Sequence, residues 1–79
     1  MKIHLSSDEK SFLYSFLVDN KVPTQLYIIT GNDLMLSETT ANDIRELLSD
    51  NLARYFDRNY NPTATALIIE SLIDKLFIN

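Results

Sequence analysis

The only glycine in this 79-residue chain, Gly31, stands beside Asn32 between two short apolar runs, Leu26-Tyr27-Ile28-Ile29-Thr30 and Asp33-Leu34-Met35-Leu36. Glycine at the first central position of a two-residue loop supplies the positive φ that a tight hairpin needs. The first run is rich in β-branched and aromatic residues, which suit a strand. The spacing therefore predicts a hairpin with Ile29 opposite Leu34 and Tyr27 opposite Leu36. A two-stranded ribbon is marginal by itself in water, so it must lean on other elements.

Those elements read as helices. From Ser7 to Asn20, the residues Phe12, Leu13, Phe16 and Leu17 recur at helical spacing. Ser6 or Ser7 can cap its first turn, and Asp8 and Glu9 suit the positive end of the helix dipole. Lys21-Val22-Pro23 closes it, because the residue before proline avoids the helical region. Ser37 is the cap of a second helix running from Glu38 to Arg58. Ala41, Ile44, Leu48, Leu52, Tyr55 and Phe56 share one face of it, with Leu47 at the edge. Asn59-Tyr60-Asn61-Pro62-Thr63 breaks the pattern. Thr63 or Asn61 then caps a third helix with Ile68, Ile69, Leu72, Ile73 and Leu76 toward the core. Phe77 and Tyr60 are read as core plugs. The expected architecture is a small, mostly helical α+β single domain over residues 1–79, ordered helix, β-hairpin, helix, helix.

Composition narrows the function. With no cysteine there is no disulfide framework, redox motif or thiolate zinc site. A single glycine cannot build a phosphate-cradling loop. The net charge of -4 makes direct nucleic-acid binding a poor expectation. Met1-Lys2-Ile3-His4-Leu5 leads straight into polar residues, so no signal peptide is expected there. No apolar run approaches the roughly 20 residues that span a bilayer, so no membrane association is expected either. With no cysteine usage to suggest an oxidising compartment, the expected location is the cytoplasm.

Catalysis finds little support. His4 is the only imidazole and lies among the first residues, where chains are often loosely ordered. No Ser–His–Asp arrangement follows from the spacing. A surface or strand role for His4 is the simpler reading. Asp57-x-Asn59-x-Asn61 matches the opening of a calcium loop, but Pro62 replaces the turn glycine and Ile68 the closing glutamate. That segment reads as a turn. The expectation is a binding protein rather than an enzyme, with no cofactor and no resident metal.

The acidic pattern is the strongest functional signal. Asp43, Glu46, Asp50 and Asp57 fall on one stripe of the second helix, opposite its apolar face, with Arg54 beside them. On the third helix, Leu67, Glu70 and Asp74 occupy the non-core side, which suits an apolar contact rimmed by charge. An ordinary solvated face is the plain alternative. Complementary charge would steer a basic protein partner.

The run Phe56-Asp57-Arg58-Asn59-Tyr60-Asn61-Pro62-Thr63, followed by Leu67 to Leu76, resembles small acidic bacterial proteins of the toxin-immunity type. The stretch from Leu36 to Arg45 is similar to their helix start. The resemblance covers about the second half of the chain and rests on turn and packing motifs. It implies an inhibitor whose partner is a cognate toxin, for instance a nuclease, whose basic surface it would occlude. Two alternatives stand beside it. One is a regulatory or phage-type protein that mimics nucleic-acid charge. The other is a structural homodimer formed through the third helix around Leu67.

Overall fold

Side-chain caps set the helix boundaries. The computed structural model describes residues 1–56, 59, 61 and 63–77. Helix α1 spans Ser7–Asp19, with Ser6 as its cap: the Glu9 N–H donates to Ser6 Oγ, and the Ser6 N–H donates back to the Glu9 carboxylate. This reciprocal pair satisfies two of the free donors of a first turn. At the other end Lys21 takes φ 57, the left-handed position that lets the Val22 N–H reach the Leu17 carbonyl. Helix α2 spans Glu38–Asn51 and is capped by Ser37, which accepts from the Thr40 N–H. Helix α3 spans Ala64–Leu76, and Thr63, not Asn61, is its cap.

The hairpin forms in the expected register. Strands β2 (Tyr27–Thr30) and β3 (Asp33–Leu36) pair Ile29 with Leu34 and Tyr27 with Leu36. Gly31 alone takes a positive φ, 59, in the turn. A third strand completes the sheet. Strand β1 (Lys2–His4) pairs antiparallel with β3, so the order is β1-β3-β2. His4 therefore belongs to a strand rather than to a loose terminus. Three residues carry no periodicity that a sequence reading can detect, and their partners lie about 30 positions away.

One sheet face is covered by the helices. Ile3, Leu5, Tyr27, Leu34 and Leu36 meet Leu13, Phe16 and Leu17 of α1, Ala41, Ile44 and Leu48 of α2, and Ile69, Leu72 and Leu76 of α3. Alternation along the strands sends Ile28 and Met35 to the opposite face, where both are exposed.

Two expectations are corrected here. Helix α2 ends at Asn51 and tightens into a 3-10 turn over Leu52–Tyr55, after which Phe56 is extended. Leu52 and Tyr55 still pack on the core, so the apolar period outlasts the α-helix that it imitates. Asp57, the last acid expected on the α2 stripe, lies outside the described residues. Phe77 is not a core plug, since it is 55% exposed. It follows the end of α3, and its ring lies against the Arg45 guanidinium at 5.3 Å. Tyr60 lies outside the described residues.

Candidate interaction surface

Helix α2 buries Ala41, Ile44 and Leu48, and at about 100° per residue this places Asp43, Glu46 and Asp50 on the opposite side. All three are exposed. Among the described residues, none of the three has a hydrogen-bond or ion-pair partner. Arg54 does not pair with Asp50. It belongs to the 3-10 turn and lines a cleft with Asp19, Asn51 and Tyr55. The stripe is therefore not neutralised from within.

On α3 the expected constellation divides. Glu70 and Asp74 are exposed, as is Leu67 at 55%. Leu67 lies in a shallow groove against the start of α1, beside Ser6, Asp8, Glu9, Ser71 and Lys75. No residue of the α2 stripe lines that groove. Arg45 occupies the flank of α2, donating to Asn42 and lying over Phe77. Of the candidate residues, Asp43, Glu46 and Asp50 form one coherent face. Glu70 and Asp74 form a second acidic pair, and Leu67 neighbours the first helix.

The most highly organised carboxylate among the described residues is Glu9, which is read from the sequence only as an acid in the first turn of α1. Glu9 is buried, and three donors converge on it: the Ser6 N–H at 2.8 Å, Ser71 Oγ at 2.6 Å and Lys75 Nζ at 2.6 Å. Lys75 Nζ also donates to the His4 carbonyl at 3.0 Å. Burial raises the Glu9 pKa, but the Lys75 bond, the Ser6 N–H and the Ser71 hydroxyl outweigh it and lower the value to about 2. The Ser6-x-x-Glu9 spacing announces a capping box. Nothing in the sequence announces Ser71 and Lys75, which come from a helix more than 60 residues away. Chemically this is a latch joining α1, α3 and β1.

His4 is exposed, and its Nδ1 lies 3.2 Å from Asp33 Oδ1 on the neighbouring strand. The His4 bond is the chief cause that lowers the Asp33 pKa, with help from Lys2 at 3.6 Å. No serine hydroxyl is hydrogen-bonded to His4 among the described residues. Of the calcium-like segment, Asp57 and Pro62 lie outside the described residues, while Ile68 packs against the core. Among the described residues no three His, Asp or Glu side chains gather where they could hold a metal ion. Nor is any described helix long and apolar enough to cross a membrane. No protein-family model, curated protein or solved structure significantly matches this chain.

Proposed function

We propose that this is a small acidic binding protein of inhibitor type, which covers the basic surface of a partner protein, a cytoplasmic toxin that reads phosphate being the best fit. The supporting observation is the α2 face: Asp43, Glu46 and Asp50 are exposed and unpaired among the described residues, opposite a fully packed core face. Like charges at Glu46 and Asp50, four apart on a helix, work against helix stability. A folding role does not account for them, whereas recognition of Lys and Arg does. Occlusion needs no bond chemistry. The acids steer encounter, with Glu70 and Asp74 adding to the field and Leu67 offering apolar contact.

The test uses the product of the adjacent gene as bait, at low and high salt. The reading expects a basic partner whose capture weakens with salt and with the triple variant Asp43→Lys, Glu46→Lys, Asp50→Lys. Equal capture by the wild type and the triple variant would refute it, and so would no binding by a correctly folded wild type.

A further inference from the structure

The two edges of the sheet are treated differently. On the β1 edge the His4 carbonyl accepts from Lys75 Nζ, and the strand carries the charged or polar side chains Lys2 and His4. Such features discourage another strand from adding. The β2 edge has none of them. Its sequence, Tyr27-Ile28-Ile29-Thr30, is uncharged and free of proline, and uncharged Thr24-Gln25-Leu26 precedes it.

The ladder fixes which backbone groups that edge presents. Leu36 exchanges bonds with Met1, and the Leu5 N–H reaches the Asn32 carbonyl, so alternate residues of the turn and β3 turn toward β1. Tyr27 and Ile29 stand opposite Leu36 and Leu34, and are therefore the non-hydrogen-bonded pairs of the hairpin. Their N–H and C=O groups point outward, and no described backbone group pairs with them. Next to this edge lies an exposed apolar patch of Met1, Leu26, Ile28 and Met35, in which Ile28 and Met35 stand on the uncovered sheet face and Ile28 is 60% exposed.

We infer that the β2 edge pairs with the β2 edge of a second copy of this chain, antiparallel about a two-fold axis through Ile28. The geometry is self-complementary. Tyr27 exchanges both backbone bonds with Ile29 of the second copy, and Ile29 with Tyr27 in return, while Ile28 faces its own counterpart. The apolar row Met35, Ile28 then continues across the axis on one face of a six-stranded sheet. Charge also favours this site over the helices. The uncovered sheet face balances its own charges, with Asp33 held between Lys2 and His4. By contrast, two copies of a chain of net charge -4 would repel through α2 and α3, where the unpaired acids lie. The dimer leaves those acidic faces free, so it does not depend on the inhibitor reading.

The test is the mass in solution across a concentration series by light scattering, with three variants. The wild type should pass from monomer to dimer as concentration rises. Ile28→Lys sets like charges directly across the axis and should hold the chain monomeric, with unchanged circular dichroism because Ile28 is already exposed. Leu67→Asp should dimerise normally. Ile28→Cys brings the only thiol of the molecule against its own copy at a Cα separation of about 4.5 Å, close enough to bridge, so mild oxidation should give a covalent dimer. A wild type that stays monomeric at its highest soluble concentration would overturn the inference. A dimer that Leu67→Asp dissolves and Ile28→Lys does not would move the interface to α3. A monomer in which Ile28→Lys abolishes capture of another protein would show that the edge takes a partner's strand instead.

Discussion

At the start of α1 one carboxylate, Glu9, is 4% exposed and receives three donors, whereas on α2 three carboxylates stand in solvent with no donor among the described residues. The side-chain chemistry is the same and the consequence is opposite. Glu9 lost its water and was repaid by Ser6, Ser71 and Lys75, so its charge is committed to holding the fold. Asp43, Glu46 and Asp50 kept their water and remain available. The difference lies in whether the topology brings a donor within about 3 Å, since an exposed charge stabilises little and a buried one must be matched.

The sharpest way to break the contrast is to remove the matched charge. Glu9→Ala takes the acceptor from the Ser71 hydroxyl, leaves the Lys75 ammonium with only the His4 carbonyl, and deletes half of a capping box. It should cost about 3 kcal/mol in urea unfolding. Changes confined to the α2 acids should stay within about 0.5 kcal/mol each, as surface substitutions do.

Acid titration draws the same distinction. Glu9 has a folded pKa of about 2 against a reference of 4.5, so the unfolded chain takes up the proton first as pH falls. The stability owed to this group is fully present above the reference value and is lost as pH falls from there toward about 2. At 1.36 kcal/mol per unit the loss is about 3 kcal/mol. Denaturant midpoints between pH 6 and pH 2 check it. Glu9→Gln keeps the shape of the side chain, should cost about 1–2 kcal/mol at neutral pH, and should flatten that part of the pH profile. A profile as steep in Glu9→Gln as in the wild type would place the acid sensitivity elsewhere. The smallest effect has the opposite sign. Glu46→Gln relieves its repulsion with Asp50 and should raise stability by about 0.2–0.5 kcal/mol, measured by thermal unfolding.

What the sequence disclosed was local. The register of β2 against β3 follows from Gly31-Asn32, and the starts of the helices follow from Ser6, Ser37 and Thr63. What it hid was non-local, or imitated something local. Strand β1 is three residues long and is defined only by β3. Leu52 and Tyr55 hold a helical period although the backbone has already left the α-helix, so the period overstates the length of α2. Phe77 looks like a core residue in sequence, but it follows the end of α3 and lies against Arg45 instead. For the candidate surface, the exposure of Asp43, Glu46 and Asp50 followed from helix periodicity. The place of Leu67 beside Glu9, and the latch itself, required the packing of α3 on α1.

The central claim is that the α2 acids serve recognition while Glu9 serves the fold. The most direct measurement is the association rate of the protein with the adjacent gene's product, at low and high salt, for the wild type and for the variant Asp43→Asn, Glu46→Gln, Asp50→Asn. The account expects the variant to fold as stably as the wild type, to associate about tenfold or more slowly at low salt, and to lose most of its salt dependence. An unchanged association rate and salt response in that variant would contradict it.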